Sequence, residues 1–302
     1  MRIIRREGSA DLVVGTGLVG DAVAHAAHLL PGTLSDASEA TDWSDSTALE
    51  RSLQSASAQL AAPSRLRIFW CAGRAGFNAT EAQCDGELRT FQTVLQWAGG
   101  LGQKHRLEFH LTSSAGGLHE GQLLVSEPSA ARVTRPYGAL KLQQERALHA
   151  SSISHRFVYR LGSVYGVPLA GRRLGLVSTL ALNALRHQPT VITAHATTQR
   201  DFVAAADVGT FMATDHKQPT TSLHEGVHYL VSGYPLSTWA LQLALERHLL
   251  RRITVTYTTG KDNFESTTFA PAVRPREWFA STVESNLPLI LAAMQGRAVT
   301  RR

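Results

Sequence analysis

The chain has 302 residues, 43% of them hydrophobic and 18% charged, with a net charge of +6. That balance describes a globular protein with a large core and room for one or two domains, and it excludes a disordered or fibrous chain. Only four of the thirty basic residues are lysines, and no basic run is interleaved with aromatics, so charge alone supports no nucleic-acid partner. The opening MRIIRREGSADLVV holds only a short apolar run before Gly15. It is neither signal peptide nor membrane span, which points to a cytoplasmic protein without a membrane partner. Cys71 and Cys84 lack metal-ligand spacing and the histidines are dispersed, so neither a disulfide framework nor a metal site is expected.

In chain order, DLVV reads as a strand and GLVGDAVAHAAHLL as a helix whose His25 and His28 face solvent. PGTLSDASEATDW holds no convincing second strand, and the polar stretch that runs on to Gln59 reads as a helix with its loops. RLRIFWCAG, HRLEFHLTSS and HRFVYRLGSVYG then read as strands, separated by the helices EAQCDGELRTFQTVLQWAG and YGALKLQQERALHASS. Apolar runs bounded by turn residues and separated by helices of about three turns are the mark of a parallel sheet built from βαβ units. From about Val167 the pattern loosens into helices at 174–186 and 237–251 and isolated strands HYLVSG and RITVTY. The expected fold is α/β: a Rossmann-like parallel sheet flanked by helices over 1–165, then a smaller mixed α/β substrate lobe over 166–302. Part of about 200–235 is expected to return to the first domain.

GTGLVG, Gly15 to Gly20, follows a strand and opens a helix. There, glycines permit a tight turn and close backbone approach to a pyrophosphate at the helix N-terminus. The acid that grips the adenosine ribose should follow about twenty residues on, where Asp36 and Glu39 are the candidates. No arginine in that stretch awaits a 2′-phosphate, which leans towards NAD over NADP. The strand HLTSSAGG ends in hydroxyls where parallel sheets bind ligands, and CAGRAG ends another in small residues. In RPYGALKLQQE, Tyr137 and Lys141 stand at i and i+4, so phenol and ammonium share one helix face. A pair such as His224 and His228, also at i and i+4, has no partner cluster and reads as surface.

These segments, in this order, resemble the extended branch of the short-chain dehydrogenase/reductase superfamily, the NAD-dependent epimerase/dehydratase family that modifies nucleotide sugars. The likeness runs through GTGLVG, TDWSD, CAGRAG, HLTSSAGG, RPYGALKLQQE, VYRLGSVYG and TTQRDFVAAADV. It implies that Tyr137 is the general acid/base, that Lys141 stabilises its phenolate and holds the nicotinamide ribose, and that Ser114, rather than Ser113, hydrogen-bonds the reacting oxygen. A free tyrosine is a poor base at neutral pH, and a nearby ammonium and an oxidised nicotinamide favour its phenolate.

The likeness further implies that Gly15, Gly17, Leu18, Val19 and Gly20 face the pyrophosphate, Asp42 and Trp43 the adenine, and Cys71, Ala72, Gly73 and Tyr159 the rest of the cofactor. Arg200, helped by Arg173, would hold the phosphates of a sugar nucleotide. Asp207 would cap a helix. A homodimer built on the Tyr137 helix and the one before it is usual for such proteins. The implied reaction is C4 epimerisation of a nucleotide-diphosphate sugar. The alternatives are a 4-ketoreductase of nucleotide sugars, a reductase of another carbonyl compound, or a non-catalytic dinucleotide-binding regulator.

Four departures stand out. A glycine of the family pattern is missing at Val14, and Gly20 to Asp42 is too short for a full strand, helix and strand. The asparagine usual in the helix after CAGRAG is absent from DGELRTFQTVL. No acid follows Ser114, so dehydration is not expected.

Overall fold

The computed structural model describes residues 1–43, 45–60, 64–102, 105–167, 174–214, 226–258 and 265–299. The chain opens with β1 (Arg2–Arg6) and β2 (Ser9–Val14), an antiparallel hairpin turning through Glu7 and Gly8, with Gly8 at φ +67°. Helix α1 (Leu18–His28), strand β3 (Thr33–Ser38), helix α2 (Ser46–Gln59) and strand β4 (Arg65–Trp70) follow. Helix α3 (Glu81–Leu101), strand β5 (Arg106–Ser114), the single turn α4 (Ala115–Leu118), helix α5 (Pro136–Ala150) and strand β6 (His155–Leu161) come next. Local chemistry sets several starts. Asp45 caps α2 by accepting from Thr47 N–H at 2.8 Å, Thr80 and Gln83 form a reciprocal capping box on α3, and Pro136 opens α5.

The remainder is β7 (Ser163–Tyr165), α6 (Leu176–Leu185), β8 (Thr190–Ile192), β9 (Gln199–Arg200), β10 (Phe202–Ala204), α7 (Ala205–Ala213) and β11 (Val227–Leu230). It ends with β12 (Leu236–Ser237), α8 (Thr238–Leu249), β13 (Val255–Tyr257) and α9 (Val283–Val299).

The main sheet has the order β11-β6-β5-β4-β2-β1-β3, with β2, β4 and β5 parallel. This is the expected Rossmann-like α/β architecture with three corrections. PGTLSDASEATDW does contain a strand, β3, and HYLVSG is no isolated strand but joins the main sheet as β11. The third concerns RIIRR, which forms β1 and wedges between β2 and β3, antiparallel to both. Thus β1 fills the place beside β2, and the short stretch after Gly20 need supply only an exposed edge strand. Each long parallel strand is buried along most of its length, and β5 is buried from Leu107 to Ser114.

The chain divides into two compact units, one of residues 1–118, 133–160 and 209–228, the other of 119–132, 161–208 and 229–302. The core of the first joins Leu12, Ile68, Trp70, Phe91 and Phe109 from strands and α3. The second has its own core, in which Val177, Leu180, Leu241, Leu245, Leu287 and Ile290 bring α6, α8 and α9 together. Among the described residues no helix is long and apolar enough to cross a membrane.

Candidate active site

After β2 the chain leaves through α1 to one side of the sheet, and after α2 it returns to β4 on the other. Such a reversal opens a crevice at the carboxyl ends of the two strands, where open α/β sheets bind ligands. Gly15 and Cys71 lie at those ends, Cys71 N–H donating to the Val14 carbonyl at 2.8 Å. Gly15 has φ +89°, and a Cβ on it would sit 2.3 Å from the Cα of Ala72. A Cβ on Gly20 would sit 1.8 Å from the Gly15 carbonyl oxygen, whereas one on Gly17 would meet nothing within 4 Å. Only glycine folds this loop back on itself. No side chain caps α1 at Gly17, so the first N–H groups, of Leu18, Val19 and Gly20, are not satisfied by a capping side chain. That cradle fits the pyrophosphate of a dinucleotide.

Ser114, Tyr137 and Lys141, the expected catalytic residues, lie in the same unit. β5 ends at Ser114, and the α4 turn folds so that Gly117 N–H donates to Ser114 Oγ at 3.0 Å. A Cβ on Gly117 would be 3.1 Å from the Tyr137 ring and 3.2 Å from Ser114 Oγ, so both side chains border the space that this glycine leaves open. Gly138 permits the approach from the other side, since a Cβ there would lie 2.3 Å from the Gly117 oxygen. Tyr137 is partly buried, its ring 5.7 Å from that of Phe77, and no described residue is hydrogen-bonded to its hydroxyl. Lys141 Nζ lies 5.7 Å from the Tyr137 ring centroid. Ser113 is committed elsewhere, donating at 2.5 Å to Glu145, which Arg160 also holds at 2.7 Å.

Lys141 is itself buried, 6% exposed, and its ammonium donates to Gln144 at 3.0 Å and to Glu87 at 3.4 Å. Glu87 and Gln144 thus adjoin Lys141, and neither was among the expected site residues. Gln144 follows Lys141 by three residues, a spacing open to inspection in the sequence, but Glu87 comes from α3, 54 residues away, with no local pattern to point to it. Burial pushes the Cys71 thiol up to about 12, opposed by the Lys141 ammonium.

The other expected residues are placed as follows. Trp43 stands edge-on to Trp70 at 6.4 Å and packs against the first core, and Asp42 beside it is exposed. Tyr159 requires a correction: its side chain is fully buried and its hydroxyl pairs with His110 Nδ1 at 3.0 Å, so it belongs to the sheet core and presents no surface to a cofactor. His228 is also core rather than surface, 8% exposed and stacked on Tyr159, while His224 lies outside the described residues. His25 and His28 are exposed, as expected.

In the second unit, Arg200 lies on β9, where its guanidinium donates to the carbonyls of Gln199 and Glu265. Arg173 lies outside the described residues. Asp207 does not cap its helix; it accepts from the Ser281 N–H and hydroxyl at 2.7 and 2.6 Å, just before α9. Among the described residues no group of three His, Cys, Asp or Glu side chains has the arrangement of a metal site.

No curated protein matches the chain in sequence. Solved structures do match in fold. A UDP-glucuronic acid 4-epimerase from Bacillus cereus, in complex with UDP-glucuronic acid and NAD, is similar at TM-score 0.69 and 17% identity over 95% of this chain and 90% of its own. A UDP-glucose 4-epimerase from Thermus thermophilus, in complex with NAD, is similar at TM-score 0.66 and 18% identity over 85% of this chain and 84% of its own. MoeE5, in complex with UDP-glucose and NAD, is similar at TM-score 0.63 and 21% identity over 78% of this chain and 80% of its own. A family model described as NAD dependent epimerase/dehydratase matches residues 12–231, from the first parallel strand through β11. The glycine loop, the Ser114 turn and the Tyr137 helix all lie inside that match, and the chain belongs to the NAD-dependent epimerase/dehydratase family.

Proposed function

We propose that the chain is an NAD-dependent epimerase acting at C4 of a nucleotide-diphosphate sugar, with Ser114, Tyr137 and Lys141 as its catalytic residues. The observation that carries this reading is the meeting of Ser114 Oγ and the Tyr137 ring across Gly117, with the Lys141 ammonium beside that ring. Binding alone has no use for a phenol beside an ammonium. The glycine loop and the open N-terminus of α1 would hold the pyrophosphate, with Cys71, Ala72 and Gly73 along the cofactor, Asp42 and Trp43 at its adenine end and Arg200 towards the sugar phosphates. Bound nicotinamide supplies the acceptor for the C4 hydrogen and, later, its donor.

The protein's own part is proton transfer and positioning. Ser114 hydrogen-bonds the sugar O4, and the Tyr137 oxygen takes the O4 proton as the carbonyl forms. Lys141 stabilises the phenolate before that step, and Tyr137 returns the proton when hydrogen is restored to the other face of C4. The residues after Ser114 are Ala115, Gly116 and Gly117, which offer no acid to expel water. That favours epimerisation over dehydration.

The test is Tyr137→Phe. It is expected to bind the dinucleotide as the wild type does and to lose turnover of the sugar nucleotide by about a hundredfold or more. Undiminished turnover in that variant contradicts the assignment.

A further inference from the structure

We infer that Glu87 sets which redox state of the nicotinamide this site prefers, by holding a carboxylate against Lys141 so that the oxidised form is favoured. The inference rests on the proposed function, because it takes Lys141 to be the residue beside the nicotinamide ribose. The Glu87 side chain is 9% exposed and that of Lys141 7%, with 3.4 Å between Oε1 and Nζ. The carboxylate is built in from three directions. Ala75 N–H donates to it at 3.0 Å, Gln144 Nε2 at 3.4 Å and Lys141 at 3.4 Å. The space it occupies exists because residue 73, just past the end of β4, is glycine at φ +150°. A Cβ there would be 2.6 Å from Glu87 Oε1.

The consequence is one of charge. With Lys141 alone, the sheltered end of β4 would carry one positive charge. With Glu87 it carries none. The oxidised nicotinamide ring bears a positive charge that the reduced ring lacks. An uncompensated ammonium therefore disfavours the oxidised form, and a carboxylate at the same place removes that penalty. Because both groups are withdrawn from water, the effect exceeds that of the same charges at a surface. A site that keeps its cofactor oxidised begins its cycle by withdrawing hydrogen from the sugar, as an epimerase must. A ketoreductase gains from the opposite bias.

The experiment measures dissociation constants for oxidised and reduced dinucleotide by titration calorimetry, with no turnover involved. The ratio of the oxidised to the reduced constant is expected to rise roughly tenfold in Glu87→Gln. It should stay near the wild-type ratio in Glu87→Asp, which keeps the charge. Lys141→Met should lower the ratio, and Lys141→Met with Glu87→Gln, which buries no unpaired charge, should raise it again; equal ratios in that single and double variant overturn the inference where Glu87→Gln alone does not fold. An unchanged ratio in a folded Glu87→Gln that still binds both forms overturns the inference while leaving the proposed function standing. A wild-type protein that binds neither form removes the proposed function, and this inference with it.

Discussion

Asp11 is a carboxylate with no exposure at all, placed opposite Arg67 on the neighbouring parallel strand. Arg67 grips it with two hydrogen bonds of 2.6 Å, spends a third on the Ala213 carbonyl at 2.8 Å, and shares the carboxylate with Arg6. An ion pair this deep adds little over a well-packed apolar pair, but removing one member strands a buried charge. Asp11→Ala is therefore expected to lower stability by about 3–5 kcal/mol in urea unfolding. A loss below about 1 kcal/mol would show that water or rearrangement relieves Arg67, against the picture of a sealed pair. At the candidate site, too, single residues do separable work: Gly117 leaves the space that Ser114 and Tyr137 border, while Ser113, one residue before Ser114, serves the Glu145 and Arg160 pair.

Between elements, β4 and β5 are tied by a second charged row, Arg65 to Glu108 at 2.9 Å with His110 3.7 Å from the same carboxylate. Burial pushes the Glu108 carboxyl up, but nearby His110 and the hydrogen bonds and charge of Arg65 outweigh it and hold it at about 2. Burial pulls His110 down from its ordinary value. A depressed carboxyl stabilises the fold above its ordinary value of 4.5 and loses that contribution as pH falls towards about 2. Glu108→Gln should therefore be less stable than wild type at neutral pH, with the gap in unfolding midpoint narrowing as pH falls through that window. A gap that stays constant from neutral pH down to pH 3 would contradict this assignment.

How much of each element was legible depended on whether its cause is local. The strands β2, β4 and β5 are long apolar runs, and the glycine loop and Tyr137–Lys141 are short spacings, so both announce themselves. β1 does not, because three of its five residues are arginines whose partners, such as Asp36 and Asp11, come from other elements. β3 is an exposed edge strand with little apolar content to mark it. Tyr159 and Asp207 were located in the chain, but side-chain direction, which no spacing in the sequence reports, sent one into the core and the other to Ser281. Glu87 was hidden for the same reason as β1: its significance lies in Lys141, on another helix.

At the scale of the molecule, the chain builds two cores, and the glycine loop, Ser114, Tyr137 and Lys141, to which the proposed chemistry is assigned, all belong to the first unit. On the proposed function, this first unit holds an oxidised nicotinamide and a sugar nucleotide reduces it there. The most direct test is the near-ultraviolet absorbance of the purified protein, loaded with NAD and mixed in turn with UDP-, GDP- and dTDP-sugars. The expected result is that the band of reduced nicotinamide rises with one class of sugar nucleotide and stays on the protein through gel filtration. A folded protein that retains no dinucleotide and shows no such band with any of them contradicts the account.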